Sequence, residues 1–161
     1  MRIYFPLLIA ILVLDQITKF WITSSFSLYE SRVVIPDFFN LVYVTNKGAA
    51  FSMFASAESP VRHYFFVSLK LIAAVGLTIA AFRMRRRHLL YTLSFACIAA
   101  GALGNLIDRL HSGAVIDFLD FYFGSYHWPA FNVADSSICV GVALLFIVNY
   151  LDAREESGRK K

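Results

Sequence analysis

The chain has 161 residues, of which 58% are hydrophobic and only 16% are charged, and its mean hydropathy is +0.62. A soluble domain has about 25% charged residues, so the composition excludes an ordinary soluble protein and indicates one small membrane bundle. The net charge of +4 comes from short basic runs at the ends of apolar segments, not from basic stretches interleaved with aromatics, so we expect no nucleic-acid partner.

Four segments are apolar for about 20 residues, the length that a membrane-spanning helix requires. They cover approximately residues 4–22, 61–82, 89–107 and 131–151. The first resembles a signal peptide, but it contains two charged residues and no clean cleavage site follows it, so we predict a retained helix. The sequence therefore predicts an α-helical membrane protein with four spans.

Basic residues gather at Arg2, between the second and third segments, and after Leu151. Cytoplasmic loops of membrane proteins are enriched in such residues. We therefore expect both termini in the cytoplasm, the loops 23–60 and 108–130 outside, and a single domain over 1–161.

The first outer loop has two strand signals, at 31–35 and 39–44, which are rich in β-branched and aromatic residues. A turn signal follows at 45–48. The segment 48–54 is apolar but too short to span, and it could enter the membrane interface or cover a site.

Asp15 and Lys19 lie four residues apart, on one face of the first helix. Such a pair can neutralise itself, with Lys19 reaching toward the headgroups. Ionisable residues inside a membrane also tend to mark function. The spacing leaves both interpretations open, and both can hold together.

Asn105, Asp108 and Arg109 end the third segment. Asn105 and Asp108 share a helix face because they are three residues apart. Asp108 and Arg109 alone are also typical of an interfacial helix end with a local ion pair. Gly101 and Gly104 would permit close contact with a neighbouring helix.

A short hairpin-like loop separates Asp117 from Asp135, so their side chains can meet at the outer ends of the third and fourth segments. Asn132, three residues before Asp135, resembles a helix cap, which is a purely structural alternative. Two carboxylates in a poorly solvated place share a proton, and such a dyad can activate water and polarise an amide carbonyl. Asp120 fits no motif, and we expect it at the surface.

No pattern predicts a metal or another cofactor. The two cysteines lack CxxC spacing, and there is no HExxH motif. The four histidines are scattered along the chain, at His63, His88, His111 and His127.

Five motifs occur in a characteristic order: DxxxK at 15–19, NxGAAF at 46–51, GNLIDR at 104–109, VIDF at 115–118 and PAFNVAD at 129–135. Together with four spans, they closely resemble the bacterial lipoprotein signal peptidases (signal peptidase II), over essentially the whole chain. Lys47 occupies a variable motif position, and Ile116 replaces a common valine.

This resemblance implies an aspartic endopeptidase of the bacterial inner membrane. Its substrates would be prolipoproteins carrying a diacylglyceryl group on a cysteine, cut just before that cysteine. The catalytic dyad would be Asp117 and Asp135. Other motif residues would shape the site or contact substrate, namely Asp15, Lys19, Asn46, Gly48, Asn105, Asp108, Arg109 and Asn132.

The implied fold is four helices with a small outer β-sheet and a short interfacial helix, for which the strand signals and the segment 48–54 are candidates. The implied partners are the prolipoprotein signal peptide and membrane lipid. We expect a monomer, because one bundle holds every required part.

Two other functions are weighed against this one. A proton- or ion-conducting bundle would use acids such as Asp15, Asp108 and Asp117 as a relay, and would spread them along the membrane depth. A non-enzymatic assembly factor would use the aspartates as caps and ion pairs, and would tolerate Asp117→Asn.

Overall fold

The computed structural model describes residues 1–47, 60–84 and 87–159. Each of the four helices in these ranges is long and apolar enough to cross a membrane, by length and composition. They are α1 (Tyr4–Ser25), α2 (Pro60–Met84), α3 (Leu89–Ser112) and α4 (Val133–Arg159). This confirms the predicted class, a membrane protein built from four apolar helices.

Two helix boundaries differ from the sequence-based expectation in ways that matter for the site. Helix α3 continues past residue 107 to Ser112, where Gly113, with φ of 76°, ends it and donates its N–H to the carbonyl of Arg109. Asp108 and Arg109 therefore lie inside the helix, not in a loop. Helix α4 begins at Val133, so Asn132 directly precedes it.

Helix α3 forms the centre of the bundle and packs against the other three helices. Close approach to α4 depends on Gly101, where a side chain would collide with the carbonyl oxygen of Ala134. Gly104, one turn later, leaves room for the carboxylate of Asp15. The prediction that these glycines permit close helix contact is confirmed.

A four-stranded antiparallel sheet lies where α1 and α3 end and α2 and α4 begin, which we call the sheet end of the bundle. Its strand order is sequential. The strands are β1 (Ser31–Ile35), β2 (Phe39–Asn46), β3 (Val115–Phe123) and β4 (Tyr126–His127).

The first two strands match the predicted segments, whereas β3 and β4 occupy a region predicted as a loop. Strand β3 pairs with β2 in a register that puts Asp117 opposite Val44 and Asp120 opposite Asn40. Its two aspartates lower its hydropathy, and long-range pairing with β2 stabilises a strand there all the same. The predicted short helix at 48–54 falls outside the described residues.

Candidate active site

Asp117 and Asp135 reach the sheet end from different elements. Asp117 is the third residue of β3, and Asp135 lies in the first turn of α4. Asn132 joins them: its Nδ2 donates to Asp117 Oδ1 at 2.7 Å, and its Oδ1 accepts the backbone N–H of Asp135 at 2.9 Å. The structure thus brings the two predicted catalytic residues into one hydrogen-bonded group.

Asn105 holds the other carboxylate of this group. Its Nδ2 donates to Asp135 Oδ1 at 2.8 Å, while its Oδ1 accepts from Asn132 Nδ2 at 3.2 Å. The amide of Asn46 approaches Asp117 Oδ2 from β2 at 3.4 Å. Three predicted site residues therefore orient the two aspartates directly.

The environment of Asp117 raises the pKa of its carboxyl group from 3.8 to about 7. The largest cause is burial, since the residue is only 3% exposed, and the second is the negative charge of Asp135. Hydrogen bonds from Asn46 and Asn132 act in the opposite direction. A carboxyl group in this state can hold a proton near neutral pH.

Asp15 and Lys19 form the predicted ion pair, at 2.8 Å. Both residues also contact elements other than α1. Lys19 is 2% exposed, and its Nζ also lies 2.7 Å from Asp108 Oδ2 and donates to Asn105 Oδ1 at 3.1 Å. A lysine this buried does not reach the headgroups, so the snorkelling interpretation of Lys19 is wrong.

The two aspartates that bind Lys19 also hold the elements carrying the dyad. Asp15 Oδ1 accepts the backbone N–H of Ala134 at 2.9 Å, which caps the first turn of α4. Asp108 Oδ2 accepts the backbone N–H of Ile116 at 3.2 Å, next to Asp117 on β3. This network fixes α4 and β3 relative to α1 and α3.

Arg109 is buried and connects two further elements to the site. It donates from Nη1 to the backbone carbonyl of Lys47 at 3.3 Å, and its guanidinium lies 4.8 Å from the ring centroid of Phe66 on α2. Of the predicted site residues, Gly48 falls outside the described part of the chain.

Comparison with known proteins agrees with this arrangement. The family model described as signal peptidase (SPase) II matches residues 7–151. This chain belongs to the signal peptidase II family. The resemblance seen in the five motifs is therefore confirmed.

Many relatives of this family are named lipoprotein signal peptidase. One from Syntrophus aciditrophicus is 47% identical over 146 residues, covering 91% of this chain and 90% of the relative. One from Geobacter sulfurreducens is 48% identical over 147 residues, covering 91% and 90%. One from Yersinia enterocolitica is 39% identical over 155 residues, covering 96% and 90%.

Two solved structures described as bacterial membrane enzymes share the fold. One has a TM-score of 0.85 and 31% identity, covering 95% of this chain and 90% of the other. The second has a TM-score of 0.82 and 32% identity, covering 92% of both.

The described residues of this signal peptidase II homologue contain no cluster of three His, Cys, Asp or Glu side chains arranged to hold a metal.

The expectation that Asp120 lies at the surface is wrong. The residue is 7% exposed, accepts a hydrogen bond from Asn40 Nδ2 at 2.9 Å, and lies 2.9 Å from His127 Nδ1. Residues three apart on a strand point to opposite faces, so Asp120 is separate from the Asp117 dyad. It links β2, β3 and β4.

Lys70 on α2 is a second residue that the motifs did not single out. It is half-buried and lies within the electrostatic reach of Asp135, Asp108, Arg109 and Lys19. The sequence did contain a signal for Lys70, since it is a lone lysine in the interior of an apolar span. Burying such a charge in a membrane is energetically costly, so these residues tend to mark function.

Proposed function

We propose that this chain is an aspartic endopeptidase that removes the signal peptide from prolipoproteins carrying a diacylglyceryl-cysteine, cutting on the N-terminal side of that cysteine. Asp117 and Asp135 would form the catalytic dyad. The observation that carries the proposal is the joining of these two carboxylates through Asn132 and Asn105, with the pKa of Asp117 raised to about 7.

The two aspartates have different environments, which supports different roles. Asp135 lies at the N-terminus of α4, where the helix dipole favours negative charge. Asp117 lies on a strand and is buried, which favours its neutral form. The shared proton therefore resides on Asp117, and Asp135 acts as the base.

In the proposed reaction, the Asp135 carboxylate takes a proton from water as the water oxygen attacks the scissile carbonyl carbon. Asp117 gives its proton to the carbonyl oxygen, which produces a tetrahedral diol. As the C–N bond breaks, the leaving nitrogen takes a proton from Asp135 and the hydroxyl proton returns to Asp117. The products are the signal-peptide carboxylic acid and the free amine of the lipidated cysteine, and the chemistry uses no cofactor.

The location of the dyad suits a substrate presented from the membrane. The helices expose large apolar side chains, such as Phe20, Ile72 and Phe146, which would contact lipid. Basic residues gather at the end of the bundle opposite the sheet end. By the positive-inside tendency, we propose cytoplasmic termini in the bacterial inner membrane and a catalytic site facing outward.

We further propose that residues 1–161 act as one domain and as a monomer, since every site residue named comes from one chain. An ion relay would require acids spread along the bundle. The site aspartates instead gather at the sheet end, which favours the peptidase.

The test is cleavage of a purified diacylglyceryl-modified prolipoprotein in detergent, with a metal chelator present throughout. We expect wild type to cleave, and Asp117→Asn and Asp135→Asn each to lose at least about 1,000-fold in kcat, since each removes one proton-transfer group. Asp120→Asn is the matched control, because it neutralises a buried aspartate on the same strand outside the dyad.

Near-wild-type cleavage by a folded Asp117→Asn or Asp135→Asn variant would contradict the dyad and leave that aspartate with a structural role, such as capping α4. Loss of wild-type cleavage in the presence of chelator would point to metal-dependent hydrolysis instead.

A further inference from the structure

One face of α2 points into the bundle, and Lys70 lies on it. Phe66, Ala74 and Ala81 on this face are 8%, 5% and 0% exposed, and Thr78 forms a hydrogen bond with Tyr4 of α1 at 2.8 Å. Lys70 is four residues from both Phe66 and Ala74, so it shares their face. Its neighbour Ile72, by contrast, is 69% exposed.

The packing of α2 on α3 places Lys70 level with the dyad. The two helices are antiparallel because only residues 85–88 connect them. Phe66 on α2 lies against Arg109 on α3. Because the helices are antiparallel, Lys70, one turn after Phe66, lies level with Asn105, one turn before Arg109. Asn105 is the residue whose amide holds Asp135, at 2.8 Å.

Lys70 therefore joins a group of ionisable side chains that contact or surround the dyad. Four of them are carboxylic acids and three are bases. They come from all four helices and β3: Asp15, Lys19, Lys70, Asp108, Arg109, Asp117 and Asp135.

The charges of this group balance only when one proton is bound. Four carboxylates against three cations leave one excess negative charge, and a single proton on the dyad cancels it. Without Lys70, neutrality would require two bound protons. Uncompensated charge in a buried site is costly, so the number of cations influences how many protons the dyad holds.

We propose that Lys70 is a positioning residue of the peptidase site, whose positive charge stabilises the singly protonated dyad in which one carboxylate is free to accept a proton from water. The proposal rests on the aspartic dyad proposed above. Lys70 acts through the dyad's charge and not on the substrate itself. A lysine that only extended toward lipid headgroups would leave the dyad unaffected.

The test is the pH dependence of kcat for prolipoprotein cleavage in detergent, for wild type, Lys70→Met, Lys70→Gln and Lys70→Arg. Removing the cation makes loss of the dyad's shared proton less favourable, so the profile should move to higher pH. A unit charge roughly 10 Å away, at an effective dielectric constant near 20, changes a pKa by about one unit. We expect that shift in both neutral variants and a wild-type profile in Lys70→Arg.

Arg83→Met is the matched control, because it removes one positive charge from an exposed site on the same helix, about 20 Å away along its axis. Its profile should superimpose on that of wild type. Thermal unfolding in the same detergent would show that each variant is folded.

Unshifted profiles in both neutral variants would overturn the proposal, as would a Lys70→Arg profile shifted as far as that of Lys70→Met. Failure of both neutral variants to fold, with Lys70→Arg folded, would replace the positioning role with a structural one. The dyad itself is tested separately, since its failure would appear as cleavage by Asp117→Asn.

Discussion

The raised pKa of Asp117 predicts that this residue destabilises the protein at alkaline pH. In the folded protein the carboxyl group keeps its proton up to about pH 7, whereas its ordinary pKa is 3.8. Between these values the folded state binds more protons than the unfolded state, so the free energy of unfolding falls as pH rises. The stabilising contribution is complete below about pH 4 and is lost as pH rises through 7.

The size of the effect follows from the difference between the two pKa values. At 1.36 kcal/mol per pKa unit, the shift corresponds to about 4 kcal/mol, an order-of-magnitude value. Asp117 is almost completely buried, so solvent screens it little. Asp117→Asn removes this titration, because the amide is neutral at every pH and can still accept the hydrogen bond from Asn132.

We therefore expect Asp117→Asn to be more stable than wild type at pH 8 and to lose most of that advantage at pH 5. The measurement is the midpoint of thermal unfolding in detergent micelles at several pH values. The difference between the two proteins should grow by roughly 10 °C across this range. Asp120→Asn, which lies outside the dyad, controls for removal of a buried carboxylate.

A difference between wild type and Asp117→Asn that did not change with pH would refute this reasoning. It would mean that Asp117 is well solvated in the folded protein and ionises at its ordinary pKa. The general-acid role proposed for Asp117 would then lose its physical basis, even if the residue were required for activity.

Two further predictions concern residues that support the dyad. Asn132→Ala should cost about 3 kcal/mol of stability, since it removes a helix cap and a hydrogen bond to a carboxylate. Asn132→Ser should restore the cap but leave kcat at least about 100-fold below that of wild type. A wild-type kcat in the serine variant would mean that Asn132 serves only as a helix cap. Gly104→Ala should destabilise by about 1–3 kcal/mol, because its Cβ would lie 2.5 Å from Asp15 Oδ2. Gly76→Ala, where nothing lies within 4 Å of the added Cβ, is its control and should be neutral or stabilising in the same unfolding assay.

The helices and the first hairpin were predictable because their signals are local. A run of apolar residues or a β-branched stretch such as 31–35 predicts its own structure. Strand β3 was missed because its stability comes from pairing with β2, whose partner residues lie 69 to 82 positions earlier in the chain. The acidic residues of β3 are typical of a loop in the sequence. In the structure, Asn40 and His127 contact Asp120, which accounts for an acidic residue in this strand.

The two dyad aspartates were predictable from the order of the motifs, but the hydrogen bonds that hold α4 and β3 in place were not. That Asp15 caps α4 and Asp108 holds β3 follows only from the tertiary packing of α1 on α3 and α4. Lys70 was missed for a related reason, since no motif contains it. The contact of Phe66 with Arg109, which no sequence pattern shows, aligns Lys70 on α2 with Asn105 on α3.

The structure also changes how the capping alternative for Asn132 and Asp135 should be weighed. Asn132 caps α4 by accepting the N–H of Asp135, and the same side chain donates to Asp117. The first N–H groups of a helix need partners wherever water is scarce, and Asp15 and Asn132 supply them. Meeting this requirement also fixes Asp135 against Asp117. Capping and orientation of the dyad are therefore two consequences of one arrangement, which is why Asn132→Ser, which retains the first and removes the second, separates them.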